Sequence, residues 1–143
     1  GVSPAPLNVY GRSKAEAETA VLERHSGALM IRTSWFFGPW DRWNFLTQTL
    51  ARVARGEKVP AADDMTISPT YVPDLVHASL DYLIDGESGI LHVAGSDAIV
   101  PAEWAERAAR AMQMDPSRIE RKPVAELGWI AARPKYSALG SAR

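Results

Sequence analysis

Tyr10 and Lys14 stand four positions apart in "NVYGRSKAEAE", residues 8–18. On a helix, that spacing puts both side chains on one face, about a turn apart. A free phenol, with a pKa of about 10, does little acid-base work at neutral pH. A neighbouring ammonium favours the phenolate and brings that value down. Such a phenol can give a proton to a substrate oxygen, or take one from it, as hydride is transferred. The same ammonium can hold a cofactor ribose hydroxyl. Y-x-x-x-K is also a common accident of helical sequence, an aromatic–basic contact without consequence. The pair alone leaves both readings open.

Other reactive side chains offer less. His25, His77 and His92 show no metal-ligand spacing, and packing or surface roles suit them. Asp63 and Asp64 are adjacent in a loop with no third ligand, a pattern that fits solvated carboxylates better than a metal site. There is no cysteine, which removes disulfides, thiolate zinc sites and thiol catalysis together. No G-x-G-x-x-G or G-x-x-x-x-G-K-[ST] loop occurs in these residues.

The chain has 143 residues and 46% hydrophobic content, enough for one compact unit. A net charge of -1 and a pI near 6.3 provide no basic field for nucleic acid or an anionic membrane. Apolar runs such as "GALMI" are too short to span a bilayer, and "GVSPAPL" lacks the charged start and apolar core of a signal peptide. A soluble cytoplasmic protein is expected. The first residue is Gly1 rather than Met, which suggests a chain processed, trimmed or cut from something longer.

The elements that would position Tyr10 and Lys14 follow from pattern. "SPAP" is extended by its prolines, and Asn8 can cap a helix over 9–24 that His25, Ser26 and Gly27 end. "ALMIRTSW" reads as a buried strand. "FFGPWDRW" is an aromatic Gly-Pro loop, and "NFLTQTLARVARG" is an amphipathic helix stopped by Gly56. "EKVPAADDMTISPTYV" allows only short strands and turns. Pro73 starts a helix whose positive end Asp74 favours, "GILHVAGS" is a strand, and "PAEWAERAARAMQM" is a helix opened by a proline. The tail from 118 alternates short elements with Pro and Gly breaks. This alternation predicts an α/β protein.

"NVYGRSKAEAE", "IRTSWFFGP", "DDMTISPTYVPDLVHA", "GILHVAG" and "ARPKYSALGS" follow one another at sensible spacing. Together they resemble the C-terminal half of the extended short-chain dehydrogenase/reductases. "VYGRSKAEAE" is shared across many sugar-nucleotide enzymes of that group. "RTSW" with its aromatic, glycine and "NF", "SPTYVPDL" and "RPKYSAL" most resemble the dTDP-4-dehydrorhamnose reductases. The resemblance implies the later part of a Rossmann-like NAD(P)-binding fold plus its small substrate-binding region. Residues 1–60 would end the Rossmann-like domain, and 61–143 would be mostly substrate-binding, with Rossmann elements interleaved.

The resemblance also implies roles. Tyr10 would give a proton to a C4 carbonyl oxygen as NADPH or NADH delivers hydride, and Lys14 would bind the nicotinamide ribose and tune the phenol. Thr33 and Ser34 would lie near the nicotinamide, and Trp35 against the deoxysugar ring of a nucleotide-sugar substrate. Phe36 and Phe37 are better read as core. Asn44 would approach the substrate or cap the following helix. Met65 stands where the family loop "DQ-x-G-x-PT" has a polar residue, so that segment serves as a structural marker. Arg133 could pair with a phosphate.

In that family an N-terminal half carries the glycine-rich loop, the ribose reader and a third catalytic hydroxyl. None of these is in the sequence, so the cofactor pocket would be incomplete. The remaining half would expose apolar faces and a sheet edge, covered by the missing N-terminal half or by a second copy of the chain. Two alternatives stay open: another nucleotide-sugar epimerase or dehydratase, and a non-catalytic binding or regulatory subunit.

Overall fold

The computed structural model describes residues 4–140; of the "SPAP" stretch, Ser3 lies outside them. Helix α1 (Val9–Arg24) leads to strands β1 (Leu29–Arg32) and β2 (Phe36–Phe37) and helix α2 (Phe45–Ala54). Strands β3 (Val59–Ala62), β4 (Thr66–Ile67) and β5 (Thr70–Tyr71) precede helix α3 (Val72–Ile84) and strand β6 (Gly89–His92). Helix α4 (Pro101–Ala111) and strands β7 (Ile119–Lys122) and β8 (Tyr136–Ser137) follow. The α/β alternation expected from the pattern is present.

The strands pair in parallel: β1 with β6, β2 with β5, β3 with β7, and β4 with β8. Each partner arrives by a crossover through helix, as parallel pairing requires. The core gathers on β3 and β7. Ala102, Ala105 and Ala109, fully buried at helical spacing, form the inner stripe of α4. Their small side chains let α4 approach Val53, Val59, Ala61 and Ile119 closely. A second cluster joins Ala62, Met65, Ile67 and Ile99 to Trp35, Trp104, Val124 and Leu127. Met65 thus stands at its position because it is core, only 3% exposed.

Two expectations are corrected. The strand expected over 28–35 stops at Arg32 and is half-buried, because β1 has one strand partner and a free edge among the described residues. The expected loop "FFGPWDRW" opens with β2, whose two residues face opposite sides. Phe37 packs between Tyr71 and Trp104, at ring-centroid distances of 5.4 and 5.2 Å. Phe36 is 51% exposed, so the core reading holds for Phe37 alone.

The other side of the molecule is uncovered. Neither α1 nor α3 buries a residue, and Val76, Leu80, Leu83 and Ile84 of α3 are exposed. An open groove of about 960 Å³ runs between α1 and the β1–β6 pair, lined by Ala15, Glu18, Thr19, Arg32, Ile90 and His92. No helix among the described residues is long and apolar enough to cross a membrane.

Candidate active site

Helix α1 presents Tyr10 and Lys14 as the spacing predicts. Asn8, extended at φ -145° and ψ 172°, starts the helix by accepting a hydrogen bond from the Gly11 N–H at 2.8 Å. Tyr10 is therefore in the first turn and 71% exposed. Lys14 Nζ lies 5.5 Å from the centre of the Tyr10 ring. That separation is within cation–π reach of the ring face. Ser13 Oγ turns back to the Tyr10 carbonyl at 2.9 Å, a helix-surface role.

The "RTSW" segment leaves β1 beside β5. Thr33 Oγ1 meets Thr70 Oγ1 at 3.4 Å, and the Thr70 N–H donates to the Trp35 carbonyl at 2.9 Å. Ser34 is 8% exposed, and its buried hydroxyl has no hydrogen-bond partner among the described residues. A buried polar atom left unsatisfied costs about 1–3 kcal/mol, so it marks a place where a bound group would be welcome. Trp35 sits at φ 32°, a strained conformation for a bulky residue. Its indole stands edge-on to Phe45 at 5.5 Å, and Phe45 continues the aromatic chain to Trp104 at 6.0 Å. Each such contact adds about 0.5–1.5 kcal/mol, which fixes the ring in place.

Trp35 also lines a pocket of about 280 Å³ together with Phe45, Gln48, Arg52, Pro101 and Trp129. Gln48, Arg52 and Trp129 escaped the sequence reading. Gln48 and Arg52 share the four-residue spacing of one helix face, a signal that was available; Trp129 is distant in the chain and gave none. Arg52 is paired with Glu57 at 2.8 Å, a carboxylate that it shares with Arg55. Neither Tyr10 nor Lys14 lines this pocket.

Asn44 caps α2. Its amide oxygen accepts from the Thr47 N–H at 2.9 Å, and its amide nitrogen donates to the Asp41 carbonyl at 2.6 Å and to Thr47 Oγ1 at 3.0 Å. Of the two roles expected for it, the helix cap is the one made here. Asp64 accepts from the Val124 N–H at 2.8 Å, and no metal-binding cluster of acidic or histidine side chains occurs among the described residues. Arg133 stacks on Trp129, with its guanidinium 4.9 Å from the ring centre.

Similar proteins share this architecture. The chain is 34% identical over 143 residues to a probable low-salt glycan biosynthesis reductase of Haloferax volcanii, covering 97% of this chain and 48% of that protein. It is 36% identical over 141 residues to a dTDP-4-dehydrorhamnose reductase of Mycolicibacterium smegmatis, covering 96% of this chain and 42% of that protein. The crystal structure of a dTDP-4-dehydrorhamnose reductase from Bacillus anthracis in complex with NADP superposes with a TM-score of 0.92 at 31% identity, covering 98% of this chain and 49% of that one. The chain thus spans about half the length of these relatives. The family model described as RmlD substrate binding domain matches residues 2–143, and the chain belongs to that family.

Proposed function

We propose that this chain carries the proton donor and part of the substrate site of an NAD(P)H-dependent reductase. Its reaction would convert the C4 ketone of dTDP-4-dehydro-L-rhamnose to the alcohol of dTDP-L-rhamnose. The carrying observation is the exposed Tyr10–Lys14 pair in the first turns of α1, with the ammonium 5.5 Å from the ring centre. NADPH is favoured over NADH by the NADP in the Bacillus anthracis relative.

Tyr10, Lys14, Thr33 and Ser34 are the residues here that would hold the nicotinamide end. The unpartnered Ser34 hydroxyl fits a site completed by a bound group. When bound, the nicotinamide supplies the hydride that C4 accepts. Tyr10 gives its phenolic proton to the C4 oxygen, so an alcohol forms rather than an alkoxide. Lys14 stabilises the phenolate left on Tyr10. Trp35 offers an apolar ring face to a deoxysugar, which has one hydroxyl fewer to keep solvated.

The reading divides the chain between two tasks. Residues 1–60 close the cofactor side and 61–143 build most of the substrate side, with α3 and β6 returning to the first. The apolar face of α3, the free edge of β1 and the groove beside α1 would be covered by the other half of a longer chain, or by a second copy. A cytoplasmic location accompanies this reading.

The test is reduction of dTDP-4-dehydro-L-rhamnose by the full-length protein and by its Tyr10→Phe variant. The variant is expected to lose about 10²- to 10⁴-fold in turnover while still binding NADPH through Lys14 and the rest of the cofactor site. Turnover retained in Tyr10→Phe would remove the proton donor from this account.

A further inference from the structure

Asn8 does two things with one side chain. Its oxygen accepts from the Gly11 N–H and caps α1; its nitrogen donates to the Ala132 carbonyl at 2.8 Å, far along the chain. The two contacts agree on the amide orientation, since the Gly11 N–H needs an acceptor and the Ala132 carbonyl needs a donor. Ala132 lies in the loop 128–134, which is exposed throughout. Among the described residues, the other hydrogen bond that reaches this connection from outside lies at its far end, where the Thr66 N–H donates to the Lys135 carbonyl at 2.8 Å. The same loop carries Trp129, which lines the 280 Å³ pocket beside Trp35, and Arg133, stacked on Trp129.

We infer that Asn8 is a positioning residue that ties the start of the Tyr10 helix to the loop forming the Trp129 wall of the substrate pocket. The inference rests on the reading of this chain as part of a nucleotide-sugar reductase. Asn8 acts through Ala132, not on the substrate itself. With the tether made, the Trp129 wall and the phenol of Tyr10 keep one relative placement, and binding is spared the entropy of ordering the loop. With the tether cut, the loop is ordered by the substrate, and that cost falls on substrate affinity. Cofactor affinity is untouched, because Lys14 keeps its place on an intact helix.

The capping and tethering roles can be separated. Asn8→Ser keeps a capping oxygen of about equal merit but is too short to reach Ala132 as well. Asn8→Ala removes both. In the full-length protein, Asn8→Ser is expected to raise the KM for the 4-keto nucleotide-sugar about fivefold, the loss of one neutral hydrogen bond. The KM for NADPH, kcat and the melting temperature should stay at wild-type values. Asn8→Ala should show the same rise in KM together with a lower melting temperature. An unchanged sugar KM in Asn8→Ser overturns the inference, as does a fall in kcat with that KM unchanged. If the unsubstituted protein reduces no 4-keto nucleotide-sugar, the reductase reading fails, and backbone NMR order parameters decide the tether separately. Lower order parameters over 128–134 in Asn8→Ser, with 9–24 unchanged, support it; equal order parameters in both segments overturn it.

Discussion

The Glu18 carboxylate grips the Arg32 guanidinium with both oxygens, at 2.8 Å to Nε and 2.5 Å to Nη2. Glu18 belongs to α1 and Arg32 ends β1, so this fork fixes the Tyr10 helix against the strand that leads to Thr33, Ser34 and Trp35. The Arg32 hydrogen bond is the chief reason that Glu18 titrates below the ordinary carboxylate value of 4.5, with a smaller pull from His92. Because the folded value lies below the unfolded one, the pair contributes fully above about pH 4.5, and its contribution is lost as pH falls through the folded value. Glu18→Gln should cost about 1–2 kcal/mol at pH 7, and less as the solution is acidified. Urea unfolding at pH 7 and pH 3.5 measures both, and a cost independent of pH would contradict the assignment.

Gly95 approaches the Pro69 carbonyl so closely that a Cβ there would collide with the oxygen. The obstacle is backbone, which cannot rotate away as a side-chain end could. The same turn brings the Gly95 N–H to 3.4 Å from Thr70 Oγ1, and so holds the chain after β6 against β5. Gly95→Ala is expected to destabilise the protein by about 1–3 kcal/mol. Thermal denaturation checks this, with Gly140→Ala as the control, since nothing would crowd a Cβ at that position.

Asn44 holds α2 from its N-terminus, and α2 supplies Phe45, Gln48 and Arg52 to the pocket. Asn44→Ala should cost about 1–2 kcal/mol through the lost cap. Asn44→Asp retains the acceptor for the Thr47 N–H and should cost less. Equal losses in the two variants, read from chemical denaturation, would show that the amide nitrogen's bonds matter more than the cap.

Legibility in the sequence followed the range of the interactions. Helix α1 and its cap were readable because Asn8, Tyr10 and Lys14 act within a few residues of each other. Pro73 and Pro101 likewise announced the starts of α3 and α4 by local geometry. The two-residue strand β2 was hidden, since so short a strand has no period to detect. Its pairing with β5 depends on Thr70 and Tyr71, which nothing near Phe36 specifies. The pocket was half-legible for the same reason: Trp35 stood out beside its strand, whereas Trp129 joins it only through the fold. Asn44 could be read as a cap or as a substrate contact because both roles need the same amide, and only the positions of Asp41 and Thr47 show how it is used. The second contact of Asn8 lay beyond any local pattern.

The parallel strand pairs also determine when the chain can fold. Leu29 must wait for Gly89, Val59 for Ile119, and Thr66 for Tyr136, so no sheet closes between neighbours in sequence. Contacts of such long range make folding slow, because loop closure is paid before any pairing rewards it. During synthesis α1 is free to form early, yet β4 finds its partner only when Tyr136 and Ser137 have left the ribosome. Until then the edge of β4 at Thr66 and Ile67 lacks its strand partner. Shortening the chain by its last eight residues would therefore remove no helix, yet it would leave a nascent protein with an unpaired strand edge for chaperones and proteases to find.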